Sequence, residues 1–597
     1  MGLLDGLIAG VVGSVLPRVL YTAVATLEQS NTNGLSVLGT LFAPTLPPFL
    51  SDDPAHDPFP WGDRTDSGTN PYLEYPLTGD VRRYEFVISR GVIAPDGYER
   101  EVLLVNGAYP GPLIEANWGD TIVVKVHNNI TGPDEGTAIH WHGFLQHETP
   151  WEDGAPGISQ CPITPRGTYQ YEFVASLYGT SWYHAHYSAQ YTGGIVGPIV
   201  VHGPTHEKYD IDLGPVMLSD WYHKEYFDIV EEMLAPHGNP KVYSDNNLIN
   251  GKMHFDCSTL PPNDTHRCTN NAGLAQFRFH TGKTHRLRLI NSGGDGVQRF
   301  SIDEHTLTVI AEDFVPVQPY NTTVVTLGVG QRADVLVTAN ASKSPNATFW
   351  MRSNLTSCSP AHQPYAVAAV HYDQANTSTT PDSRAWDVPD PENCANDPLG
   401  TSEPLFPIPV PKPTMVEEMG IELFRNESDV ALWRFNGVSM RTDYNAPVIL
   451  LANDGVFRYP EEWNVVNCRN HTKIRIIVNN RGGGSHPMHL HGHNFYVLHE
   501  GHGEWDGTIV RPSNPTRRDV YLVRANGHLV IQFDGAPGVW AFHCHIAWHA
   551  SGGFLTTLIV RPDKVEQLEI PRDVEKTCRS WDLWSKYNIV DQIDSGT

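Results

Sequence analysis

The chain has 597 residues, and 41 Lys and Arg against 67 Asp and Glu leave it with a formal net charge of −26. That length is too great for one hydrophobic core and implies three or four domains. The acidity argues against nucleic acid and anionic membrane surfaces as partners, and no stretch beyond the N-terminal residues is long and apolar enough to span a bilayer.

In chain order, residues 7–16 form an apolar run of signal-peptide length, although Asp5 precedes it and no Lys or Arg does. This predicts a secretory signal, the alternative being an amphipathic N-terminal segment. Residues 1–80 are taken as this segment plus an irregular lead-in rich in Pro, Asp and Gly. A β domain follows over 81–204 and carries His140-Trp-His142 and His184-Ala-His186. A second, over 205–387, has no His-x-His pair. Its Leu287-Arg-Leu-Ile-Asn291 and Gly330-Gln-Arg-Ala-Asp334 segments read as strand and turn. A Pro-rich linker spans 388–417. A third β domain, 418–561, carries His489-Leu-His491 and His543-Cys-His545, and a polar tail closes the chain over 562–597. Short runs rich in Val, Ile, Leu and Thr, bounded by Gly, Pro, Asn and Asp, indicate an all-β protein. Examples are 121–126, 195–201, 323–327 and 474–478.

Alternate side chains of a strand point the same way, so each His-x-His puts two imidazoles on one face. Four such pairs supply enough imidazoles for three metal ions. Within the last pair, Cys544 points to the opposite face, so one tripeptide serves two sites. His140 and His184 are 44 residues apart and His489 and His543 are 54 apart, the pattern of a duplicated module. A cluster shared by the first and third domains follows, with the second as spacer and substrate wall.

Ligand type selects the metal. Cys544, His486 and His549 form a candidate His₂Cys set, the blue-copper pattern, whereas zinc would call for more thiolates or a carboxylate. With Cys544 a ligand, seven of the eight cysteines remain, allowing at most three disulfides. Cys257 with Cys268, and Cys358 with Cys394, are near enough in sequence to close local loops. Nine Asn-x-Ser/Thr sequons, from Asn129 to Asn470, lend support to a secretory route.

His140-Trp-His-Gly143, His184-Ala-His186, His486-Pro-Met-His-Leu-His-Gly492 and His543-Cys-His-Ile-Ala-Trp-His549 resemble the four copper motifs of the multicopper oxidases, nearest to the ascomycete laccases and laccase-like phenol oxidases. Tyr187-Ser-Ala-Gln-Tyr191, Asp220-Trp-Tyr222 and Asn514-Pro-Thr-Arg-Arg-Asp519 match further. The resemblance covers roughly residues 80–597. It implies three cupredoxin-like Greek-key β-barrel domains and four copper ions. Cys544, His486 and His549 would be the type 1 ligands and His140 and His489 the type 2 ligands. His142, His184, His186, His491, His543 and His545 would hold the type 3 pair. Phe554 falls at the axial position and cannot ligate, while Met488 is expected in the core.

The resemblance also implies the activity: one-electron oxidation of small phenols, with dioxygen reduced to water. Asp153 would serve proton supply and Asp245 would accept the phenol proton. Asp594 and the terminal carboxylate would enter the oxygen channel. Two departures stand out, Ala547 where other laccases carry Asp and Thr597 where ascomycete tails end in Leu. A Cys161–Cys578 disulfide is implied, with Cys468 left free. A monomer is the default. The rival readings are a dedicated phenol-coupling oxidase of fungal secondary metabolism, similar to dihydrogeodin oxidase, a metal-ion oxidase, and a copper electron-transfer protein.

Overall fold

The structure is a computed structural model that describes residues 34–51, 59–588 and 592–597. The apolar run at 7–16 lies outside the described residues. The strands gather into three pairs of sheets, over 81–202, 211–372 and 415–560, threaded by one apolar core. Alternation builds them. In strand Thr168–Val174 the aromatic residues Tyr169, Tyr171 and Phe173 turn inward while Thr168, Gln170 and Glu172 face solvent.

The three pairs repeat one topology. In the first, strand Val81–Ile93 pairs antiparallel with Arg100–Val105 and parallel with Thr121–Asn128, which pairs antiparallel with Thr168–Val174. Strands Ala431–Phe435, Met415–Arg425, Lys473–Asn480 and Gly527–Asp534 repeat that order in the third. The companion sheets also match: Ile139–Trp141 lies beside Gly179–Ala185, as His486–Leu490 lies beside Gly538–Cys544. His140 sits opposite His184, and His489 opposite His543. The duplicated spacing is thus a duplicated sheet. The middle pair has the same arrangement, but the equivalent strands Gln298–Ile302 and Thr348–Leu355 contain no histidine.

The Pro-rich stretch after the middle sheets is strapped down rather than free. Arg299 donates to Val388 O and Asp390, a Cys358–Cys394 disulfide anchors it, and Asn514 Nδ2 donates to Pro404 O. The tail differs from the polar segment expected. It contains a 16-residue helix, Arg572–Tyr587. Val574, Cys578 and Trp581 follow helical spacing and form its inward face, and Cys161–Cys578 fastens it to the first sandwich. Cys257–Cys268 is the third disulfide among the described residues, and Cys468 and Cys544 are free.

Candidate metal centres

The eight paired histidines converge between the first and third sandwiches, all of them buried. Hydrogen bonds orient six of them. Nδ1–H of His140 donates to Asp153 O (2.7 Å), that of His489 to Asp519 O (2.8 Å) and that of His543 to Cys544 O (2.9 Å). His184 Nδ1–H donates to Ala185 O (2.9 Å) and His491 Nδ1–H to Asp153 Oδ2 (2.8 Å). Carbonyl and carboxylate oxygens only accept, so each of these rings turns Nε2 toward the cluster. His142 is reversed: its Nε2–H donates to Asp519 Oδ1 (3.1 Å), leaving Nδ1 to face inward.

The inward nitrogens meet in pairs. His140 Nε2 lies 3.5 Å from His489 Nε2, His491 Nε2 3.1 Å from His543 Nε2, and His142 Nδ1 3.2 Å from His545 Nε2. His186 joins the second pair in a ligand-sized group, and the His184 ring is 5.1 Å from that of His545. Facing lone pairs repel unless a proton or a metal lies between them. Protons are disfavoured, because burial and then neighbouring imidazoles hold His142, His184, His186, His489, His491 and His545 well below the usual histidine range. Burial takes His543 down to about 4. His184 Nε2, the inward nitrogen of its ring, has no hydrogen-bond partner among the described residues. This is a donor set arranged for metal.

Cys544 points the other way. Its Sγ lies 3.6 Å from His486 Nδ1 and 3.5 Å from His549 Nδ1, and the two nitrogens are 3.2 Å apart. A point central to that triangle is about 2 Å from each corner, the reach of a metal–ligand bond. Burial pushes the thiol well above its usual range, and burial takes His486 down to about 3. His549 stands on a short helix, Ala547–Ser551, and Ala547 N–H donates to Gly294 O of the middle sandwich. Phe554 packs its ring 5.0 Å from that of His486 and offers no donor atom. Met488 is buried in the core.

Three carboxylates singled out in the sequence are placed as follows. Asp153 accepts from His491 and its backbone carbonyl from His140, so one residue orients two imidazoles. Its turn requires Gly154 (φ +81°), where a Cβ would lie 1.9 Å from Ile139 O. Asp245 is half-buried before strand Asn246–Ile249, and its Oδ2 accepts the His223 backbone N–H at 2.7 Å. Asp594 accepts from Ser188 Oγ at 2.6 Å, and burial raises its carboxyl above the usual range. Thr597 lines a cavity of about 20 Å³ with His184, His186, His543 and His545, room for a water-sized occupant.

Two features carry no local sequence signal. Trp433 lays its ring 4.4 Å from that of His549 and 4.9 Å from that of His486, and a lone Trp in a strand gives no sign of this. Asp519 and Arg332 lie inside the motifs quoted above, but those motifs assign them no role. Arg332 pairs with both oxygens of Asp519, so the middle sandwich reaches the cluster and is more than a spacer.

Family profiles described as multicopper oxidase match residues 87–206, 212–375 and 433–564. The chain belongs to the multicopper oxidases. Laccase-2 of Botryotinia fuckeliana is 36% identical over 90% of this chain and 92% of its own. Dihydrogeodin oxidase of Aspergillus terreus is 34% identical over 98% and 99%. The crystal structure of the laccase from Botrytis aclada superposes with a TM-score of 0.82 at 34% identity, covering 90% of this chain and 98% of that one. The three sandwiches of this multicopper oxidase are therefore cupredoxin-like domains, and copper is the metal that the donor sets above would take.

Proposed function

We propose that this multicopper oxidase is a laccase-like blue enzyme that oxidises small phenols and reduces dioxygen to water. The observation that carries the reading is the tripeptide His543-Cys544-His545, whose thiol belongs to the His₂Cys group while both flanking imidazoles belong to the cluster. Cys544, His486 and His549 would hold a type 1 copper, His140 and His489 a type 2 copper. His186, His491 and His543 would hold one type 3 copper and His142, His184 and His545 the other. Copper bound there supplies one-electron acceptance from the phenol and four-electron delivery to dioxygen.

The chain's own residues do the rest. Phe554, packed against His486, would close one side of the His₂Cys group with carbon and offer no ligand there. Asp153 would hold His140 and His491 in one tautomer, and its Oδ1, which lies 3.4 Å from His140 Nδ1 and has no hydrogen-bond partner among the described residues, would carry a proton toward the cluster. Asp245 would take the proton of a bound phenol at Oδ1, its Oδ2 being engaged by His223. Asp594 and Thr597 would govern water and dioxygen access to the cavity beside His184 and His186. Three disulfides fit passage through the secretory route, and a monomer suffices for the sites described.

A second reading is a dedicated oxidase that couples two phenol rings within one substrate, favoured by the near full-length similarity to dihydrogeodin oxidase. Dioxygen uptake with product mass spectrometry, on simple phenols and bis-phenolic polyketides side by side, tests both. Mixed oligomers from simple phenols support the laccase-like reading. A single cyclised product with little simple-phenol turnover supports the second. Blue protein without dioxygen uptake overturns both in favour of electron transfer.

A further inference from the structure

Between the second and third sandwiches lies a chain of buried charges that the reaction does not require as ligands. Arg332 donates from Nη1 to Asp519 Oδ1 (2.5 Å) and from Nη2 to Oδ2 (2.7 Å). Its backbone N–H donates to Asp313 Oδ1 (2.9 Å), and Arg518 donates to both oxygens of Asp313 at 3.0 Å. The Asp519 backbone N–H returns to Asp313 Oδ2 at 3.2 Å. Arg332, Asp313 and Asp519 are fully buried. Burying such a network costs more than the ion pairs themselves return unless each donor and acceptor is matched, and a packed apolar seam would have joined the domains as well.

The network ends on the cluster. Asp519 Oδ1 accepts from His142 Nε2, and Asp519 O accepts from His489 Nδ1. One residue therefore touches a histidine of two different metal groups. His142 is the reversed ring, and its reversal has a local cause: a carboxylate clamped by a guanidinium can only accept, so Nε2 must carry the proton and Nδ1 must face inward. The approach is close enough to need a glycine. At Gly330 (φ +87°), two residues before Arg332, a Cβ would stand 3.0 Å from both His142 Cε1 and His545 Cδ2.

We propose that Asp519, clamped by Arg332 of the middle domain, is the positioning residue that fixes His142 with Nδ1 toward the cluster. The domain that supplies no imidazole thus sets the geometry of one copper of the type 3 pair. This rests on the four-copper reading. A merely structural interdomain ion pair would affect stability and leave the spectra alone.

The test is a comparison of Asp519→Asn, Asp519→Glu and Arg332→Lys with the wild type, each expressed as full chain and loaded with copper. The readouts are copper per chain, the near-ultraviolet band of the coupled pair, and the spin-counted EPR signal. The blue absorption reports the His₂Cys site independently. In Asp519→Asn and Arg332→Lys we expect the blue band intact and the near-ultraviolet band diminished. EPR-visible copper should rise, or one copper be lost, with affinity at the cluster down by about 10- to 100-fold. Asp519→Glu should recover part of the paired signal. Wild-type copper content, paired band and spin count in Arg332→Lys and Asp519→Asn overturn the proposal. If Asp519→Asn fails to accumulate, Arg332→Lys, which retains the charge, decides the matter by the same criteria. A wild type that lacks the paired band contradicts the four-copper reading itself.

Discussion

His140 Nε2 and His489 Nε2 lie 3.5 Å apart although 349 residues separate them and they belong to different domains. Each ring is fixed from behind by a carbonyl, Asp153 O for one and Asp519 O for the other. His489→Ala should remove a single copper per chain, the type 2 ion, and abolish dioxygen uptake while the protein stays blue. Metal analysis with EPR checks this; loss of the blue colour as well would mean that the two groups do not fill independently.

Asp153 orients its two imidazoles with different atoms, and a substitution separates the roles. Asp153→Asn keeps the backbone carbonyl for His140 and one side-chain acceptor for His491, but removes the charge and the second oxygen that would carry a proton. Turnover is expected to fall about 10- to 100-fold, with the blue site unchanged. Steady-state dioxygen consumption is the measurement, and a rate within twofold of wild type, an order-of-magnitude threshold of about 0.4 kcal/mol, would contradict the role.

Phe554 lies against His486, Trp433 and Phe435 with ring separations of 5.0, 5.4 and 5.3 Å. Phe554→Met puts a thioether where only carbon now stands. The type 1 potential should drop, since a weak axial ligand favours the oxidised ion, and phenol oxidation should slow. A redox titration of the blue band decides it; an unchanged potential would mean the sulfur does not reach the metal.

Glu152 is buried beside Tyr169, and burial lifts its carboxyl from 4.5 to about 8. The folded chain therefore binds more protons here than the unfolded chain between these values, so the contribution to stability is full below about pH 4.5 and is lost as pH rises toward 8. Glu152→Gln should flatten that slope and raise the melting temperature at pH 8, by roughly a few kcal/mol of stability. Melting curves of both proteins across the interval test the sign; parallel curves would show that Glu152 is ionised when folded.

The copper-type donor sets are legible in the sequence because they rest on short-range rules. Strand alternation separates Cys544 from His543 and His545, and spacing repeats where sheets repeat. Legibility stops where a role depends on which surfaces meet. Arg332 and Asp519 are distant in sequence and neither has a local signature; only docking of the middle sandwich gives them a shared purpose. Trp433 is similar, an ordinary strand aromatic until helix Ala547–Ser551 brings His549 against it. The tail reads as polar rather than helical because Val574, Cys578 and Trp581 are too few apolar residues to stand out in a charged segment, yet their helical spacing and a disulfide suffice.

Because half the cluster's imidazoles come from residues 140–186 and half from 489–545, no portion of the chain can assemble it until nearly all has been made. A metal held by imidazoles from both ends would bond those ends together. Copper would act in this molecule as a late cross-link as well as a reagent, and its removal should be felt first as loosened contact between the outer domains, before any sandwich unfolds.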